Sequence, residues 1–143
     1  MRFALNLFLA VFASATFFMP AAAQTPAPED AHHMRSVLDG VYTEAQAERG
    51  KTTFGQRCGV CHSTTEFSAP SFLRAWRGQP VSSLYTHIAD RMPFDNPGSL
   101  EPGEYTDVLA YLFSLHALPT GESELPADKA AQKRITIEIE SNR

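Results

Sequence analysis

The chain holds two cysteines, three residues apart and followed at once by a histidine, in Cys58-Gly59-Val60-Cys61-His62. C-x-x-C-H is the attachment signature for c-type haem. The spacing has a mechanical reason. On a helical turn, two thiols three residues apart can each bond to one vinyl group of the same porphyrin. The next side chain, His62, then lies where its imidazole can bind the iron from one face. Three other readings compete. A thioredoxin-like redox pair calls for a βαβ context, and the strands for it are absent from the pattern. A zinc site calls for further cysteines or well-spaced histidines, and the chain has no other cysteine. A plain disulfide explains neither His62 nor how a thin helical core could stand. The motif therefore predicts one haem c, covalent through Cys58 and Cys61, with His62 as a metal ligand.

The elements that must position this motif are legible in outline. Thr43 and Gln46 make a capping-box pattern and Glu44 suits a first turn, so a helix is expected from near Thr43. Ala47, Gly50, Phe54 and Cys58 follow at steps of three and four and share one face. A glycine inside a helix costs up to ~1 kcal/mol against alanine, so Gly50 suggests close approach by another element. Residues 63–80 read as loop, punctuated by Pro70, Gly78 and Pro80, with Phe67, Phe72, Leu73 and Trp76 directed inward. A short helix is expected from about Ser82 to Asp90, burying Leu84, Tyr85 and Ile88. Pro93 ends it and Pro97-Gly98 marks a turn. A longer helix is expected from Pro102 to His116, with Tyr105, Val108, Leu109, Tyr111, Leu112 and Leu115 as its apolar face and Pro119 and Gly121 as its stop. The tail holds a weak helix near 127–133 and the alternating run Ile135 to Glu140, which reads as a strand.

The class is therefore all-α: three main helices, with a C-terminal tail carrying a possible short strand. The helical part, residues 43–118, is thin. Below about 70–80 residues a compact scaffold usually needs a metal, a disulfide or another staple, and a haem would supply it.

Length and composition set the outer bounds. The 143 residues fit one domain. Apolar residues make up 43% and charged residues 20%, which excludes both a disordered tail and a membrane bundle. A net charge of −4 excludes general nucleic-acid binding, which needs a basic footprint. Arg2, the apolar run Phe3 to Ala13 broken by Asn6, and Ala21-Ala22-Ala23 form the pattern of a cleaved signal peptide over residues 1–23. The competing reading is a retained anchor. Asn6, Ser14, Thr16 and Pro20 interrupt the run, so a clean span of ~20 apolar residues is missing and no stable membrane span is expected after cleavage. Removal leaves 120 residues of net charge −5, bound for the periplasm. Residues 24–42 read as a mobile lead-in, 43–125 as the haem domain and 126–143 as the tail. From 49 to 91, six basic residues face Glu66 and Asp90. From 92 to 128, seven acids stand with no lysine or arginine. A solvated surface explains most of this partition, and a docking face with two signs of charge would explain it too.

The second axial position of the iron has six candidates: Met34, Met92, His32, His33, His87 and His116. A methionine taken alone is more often core filler. Met92 stands out because a short helix precedes it and Pro93 follows, which puts it in a turn. His87 is the next choice, and His116 at a helix end suits simple capping.

In this order of features the chain resembles a class I c-type cytochrome of the small bacterial monohaem kind. The resemblance covers about residues 43–125. It rests on the helix ending in Cys58-Gly-Val-Cys61-His62, the loop with Pro70, Met92-Pro93, and the helix Glu104-Tyr-Thr-Asp-Val-Leu-Ala-Tyr-Leu112. It implies a cytochrome c fold around one haem, with His62 as proximal and Met92 as distal ligand. It implies that the Pro70 carbonyl accepts a hydrogen bond from the other nitrogen of His62, that Trp76 donates its indole N–H to a haem propionate, and that Gly50 and Phe54 cross Val108 and Tyr111. The chain departs from many relatives in having few lysines after residue 23, namely Lys51, Lys129 and Lys133.

The expected function is that of a periplasmic one-electron carrier with His/Met ligation, a redox protein and not an enzyme. Its expected partners are periplasmic or membrane redox proteins: a donor dehydrogenase, an acceptor oxidase or another cytochrome. One alternative is a cytochrome subunit fed by a periplasmic dehydrogenase, motivated by a tail whose Ile135, Ile137 and Ile139 edge could pair with another chain, although the favoured reading is that the same strand wraps its own domain. The other is a sensing or catalytic haem protein with an open sixth position.

Overall fold

A computed structural model describes residues 34–139. The expected signal segment, His32, His33 and Glu140 lie outside the described residues. Helix α1 spans Glu44–Arg57 and begins where the Thr43 hydroxyl accepts the Gln46 amide at 3.1 Å. The expected capping box forms by half. Gln46 is almost fully buried, and its side chain turns away from Thr43 to a segment 79 residues on. There its Oε1 accepts the Leu125 amide at 2.7 Å and its Nε2 donates to the Leu125 carbonyl at 3.1 Å. A buried backbone pair left open would cost about 1–3 kcal/mol per group, which outweighs a solvated cap bond.

Helix α5 spans Pro102–Ser114, with proline in its first turn and Glu104 accepting the Glu101 amide at 2.9 Å. It buries Tyr105, Val108, Leu109 and Leu112 as expected, and Thr106, Ala110 and Phe113 as well. Tyr111 and Leu115 are only half-buried. α1 and α5 cross at Gly50, where an added Cβ would lie 1.7 Å from the Asp107 carbonyl oxygen and 3.0 Å from Tyr111 Cβ. The helices touch backbone to backbone, so only glycine fits. The crossing buries Phe54 against Val108 and Leu112, and each such side chain contributes roughly 1.5–3 kcal/mol.

Between these helices the structure corrects the expected loop. Residues 63–80 contain two short helices, α2 (Thr64–Ser68) and α3 (Pro70–Trp76), split by the extended Ala69. Pro70 is no breaker here. It is the first residue of α3, where its missing N–H has no helical partner to lose. Helix α4 spans Val81–Ala89, one residue earlier than expected, with Val81, Leu84 and Tyr85 buried and Ile88 half-buried. α5 stops at Ser114, before the expected His116, and Ala117 at φ 52° turns the chain away.

The two ends are the larger correction. The lead-in is not loosely attached over its described part, since Val37, Val41 and Tyr42 are core residues. Arg35–Ser36 (β1) pairs in parallel with Ile135–Thr136 (β2), a shorter strand than the alternation predicts. Beyond β2, Ile137 donates to the Gln79 carbonyl and accepts from the Gly78 amide, both at 2.8 Å. Ile135 and Ile137 are buried in the chain's own core. The tail is thus held on both sides and wraps its own domain, the alternative to pairing with a partner chain. Its helix, α6 (Lys129–Gln132), is shorter than expected and is capped by Asp128. At the opposite corner Gly121 donates to the Tyr42 carbonyl at 2.7 Å, and a Cβ on it would meet the Gly40 oxygen at 2.0 Å. The main core accordingly joins residues from 37 to 137. No helix among the described residues is long and apolar enough to cross a membrane.

Gly50→Ala should lower stability by about 1–3 kcal/mol or more, because overpacking exceeds the gain in helix propensity. Gly55→Ala on the same helix meets nothing within 4 Å and should be neutral or stabilising. Urea unfolding midpoints of the two variants check this.

Candidate haem site

The last turn of α1 sets the geometry of the motif. The amides of Cys58 and Gly59 both donate to the Phe54 carbonyl, at 2.8 and 2.7 Å. The Cys58 carbonyl then accepts the amides of both Cys61 and His62, at 3.1 and 2.9 Å. The chain therefore folds back over the helix end, so that thiols and imidazole project from one tight turn. Both cysteines are free thiols, Cys58 half-buried and Cys61 exposed. Burial pushes the Cys58 thiol up, and the neighbouring Arg57 charge pulls it part of the way back.

Beneath this turn lies a second apolar cluster. Phe54, Val108 and Leu112 form its buried centre, and Cys58, Phe67, Phe72, Ile88, Tyr111 and Leu115 surround them half-covered. Phe67 stands edge-on to Phe54 and to Phe72, with centroids 5.5 and 5.3 Å apart. Large apolar side chains left half-covered beside two thiols fit a flat apolar macrocycle, which would cover them when attached. No group of three or more His, Cys, Asp or Glu among the described residues could hold a metal ion by itself. A zinc reading of the cysteines therefore finds no ligand set there.

The ring of His62 is half-buried and stands edge-on to Phe67 at 5.4 Å. Its Nδ1 lies 3.2 Å from Glu66 Oε2. Pro70, whose carbonyl was expected to accept from this ring, is the exposed first residue of α3.

Met92 is held through its backbone. Its amide donates to Ile88 at 2.8 Å, and its carbonyl accepts the Tyr105 hydroxyl at 2.8 Å. Since Ile88 packs in the cluster that contains Cys58, the Met92 backbone sits at the margin of the same region. The other described candidates are engaged elsewhere or exposed. His116 Nε2 pairs with the Phe67 carbonyl at 2.7 Å, His87 Nδ1 lies 3.1 Å from Arg91 Nη1, and Met34 is 61% exposed. Trp76 is half-buried, packed on the main core with its ring edge-on to His87 at 5.1 Å. Two residues of this neighbourhood were not singled out by sequence reasoning. Tyr105 read only as part of an apolar face, and Glu66 only as a surface charge. The spacing of Glu66 four residues after His62 was the one available signal.

The charge partition is partly cancelled in three dimensions. Arg49, from the basic stretch, holds Asp107 through two bonds of 2.9 and 3.0 Å and Glu124 through one of 2.9 Å, and both carboxylates push its guanidinium further up.

Residues 45–112, from the start of α1 nearly to the end of α5, match a family described as Cytochrome C oxidase, cbb3-type, subunit III. No curated protein and no solved structure matches the chain. The matched stretch contains both cysteines, His62, Met92 and the α1–α5 crossing, in a mostly helical fold, and supports haem-based electron transfer. The match over residues 45–112 supports a c-type cytochrome.

Proposed function

We propose that the protein is a periplasmic one-electron carrier, with one haem c held by Cys58 and Cys61 and bound axially by His62 and Met92. The observation that carries this reading is the turn 58–62, which presents two free thiols and an imidazole at the edge of a half-covered apolar cluster. When bound, such a haem supplies a one-electron couple whose potential a thioether ligand raises. The chain's own residues do the rest. Phe54, Phe67, Phe72 and Leu115 exclude water from the ring face, and Tyr105 steadies the Met92 segment. Trp76 makes no hydrogen bond through its indole N–H among the described residues, which leaves that donor free for a propionate. With both axial positions filled by the protein, the role is transfer of electrons and not turnover of a substrate. Val60 between the cysteines and Phe94 after Met92 are 84% and 87% exposed, an apolar rim suited to brief contact with periplasmic or membrane redox partners.

A second reading, a subunit of a larger redox assembly, draws on the description of the matched family as an oxidase subunit. A monomer at all concentrations in size-exclusion chromatography, alone and mixed with membrane extracts, would count against it.

Absorption spectra of the purified ferric and ferrous protein test the leading proposal. They should show attached haem with sulfur bound, and absence of covalent haem after expression with maturation machinery would overturn it. The reduced native protein should resist carbon monoxide, whereas Met92→Ala should bind it rapidly. Tyr105→Phe removes one hydrogen bond, worth about 0.5–1.5 kcal/mol, and should fall between the two in rate of carbon monoxide binding.

A further inference from the structure

We propose that the groove between α4 and α6 binds a small polyanion, a molecule carrying several phosphate or carboxylate groups. The groove has a volume of about 530 Å³, within the range of small-ligand sites. Ser82, Ser83, Thr86 and Arg91 line it from α4 and the turn that follows, and Lys129 and Lys133 line it from α6. The chain is acidic, with a net charge of −4, yet two of its three lysines stand at this one place.

A pair of exposed lysines alone would be an ordinary solvated surface. These cations differ in being both placed and unpaired. Lys129 Nζ sits over the Tyr85 ring, 5.5 Å from its centroid. Arg91 Nη1 lies 3.1 Å from His87 Nδ1 and 3.5 Å from the His87 carbonyl, which leaves its other guanidinium donors open. None of Arg91, Lys129 and Lys133 forms an ion pair among the described residues, whereas Arg49 holds two carboxylates. Asp128 is committed to the amides of Ala130 and Ala131, and Asp90 is the one acid in the lining. Ser82 adds an observation independent of charge. It is only 7% exposed, it borders the groove, and its hydroxyl has no hydrogen-bond partner among the described residues. A nearly buried hydroxyl without a partner is costly, and an oxyanion in the groove would supply one.

The chemistry of the lining selects the ligand. Phosphate and carboxylate oxygens take charge-assisted bonds from ammonium and guanidinium groups and further bonds from hydroxyls. From Ser82 to Arg91 the groove follows α4 for roughly 13 Å at the helical rise. A singly charged ion therefore meets one part of the lining, whereas a polyanion meets the hydroxyls and the cations together.

Calorimetric titration of the haem-loaded full chain at low ionic strength tests the proposal, with tripolyphosphate and citrate as probes and acetate as the singly charged control. At least one probe should bind with Kd below about 1 mM, and acetate far more weakly. The double variant Lys129→Ala/Lys133→Ala should lose roughly tenfold or more in affinity, and Lys129→Gln/Lys133→Gln, which keeps long side chains on α6, should repeat the loss. Ser82→Ala should lose about threefold through one hydrogen bond. Lys51→Ala, on α1 and outside the groove, should bind as the native protein does. No binding of either probe, native affinity in the double variants, or an equal loss in Lys51→Ala overturns the proposal. Unchanged affinity in Ser82→Ala would reduce the groove to surface charge and overturn it as well. An oligoglutamate peptide bound more tightly than both probes would assign the groove to an acidic protein partner instead. The lining includes none of Cys58, Cys61, His62 and Met92, so failure here leaves the electron-carrier reading untouched.

Discussion

The missing Cβ of Gly50 is the constraint on which the other contacts depend. An added carbon would sit 1.7 Å from the Asp107 carbonyl, so α1 and α5 meet at their backbones. That contact sets the direction in which α1 leaves the crossing, and α1 ends at Cys58. The same approach brings Phe54 onto Val108 and Leu112, which makes the apolar floor beneath the motif. A single residue type thereby aligns the thiols, the imidazole and the surface they overlie. Arg49 and Asp107 pair one residue on the N-terminal side of Gly50 and directly across from it, which secures the rim of the same crossing with charge.

The rest of the small core is closed by polar contacts to backbone. Gln46 reads the amide and carbonyl of Leu125 as a neighbouring strand would. Ile137 is held from one side by Gln79 and Gly78, while β2 is held on the other by β1. Thus residues before α1 and after α5 cover one side of the helices with the buried side chains of Val37, Tyr42, Leu125 and Ile137. The other side is left to the half-covered ring of Phe67, Phe72, Ile88 and Leu115 around Cys58. The asymmetry makes physical sense for a chain that expects a large apolar group on that face, since full closure there would leave the group no contact area.

Much of the helical frame and the attachment motif was legible in the sequence. The helix start at Thr43, the close approach at Gly50, the face of α5 and the turn at Met92 follow from local rules of capping, sterics and periodicity. The loop expected over residues 63–80 was misread because proline signals a break only when its amide is needed, and at Pro70 it is not. The lead-in was misjudged, and the partner of the tail left open, because each is too short to bury itself. Their order comes from pairing with one another across about a hundred residues, which no window of sequence displays.

What the sequence by itself determined is the local grouping of the candidate haem-binding residues. Two thiols and an imidazole within five residues are bound to one another by covalent spacing, whatever the surrounding fold. What only the tertiary structure decided is the company those groups keep. Whether Gln46 caps its own helix or grips Leu125, and whether the tail's isoleucines face a partner or their own core, are competitions between local and distant contacts. Their outcome depends on which buried polar groups and apolar faces would otherwise go unmatched, and that is settled only when the whole chain has packed.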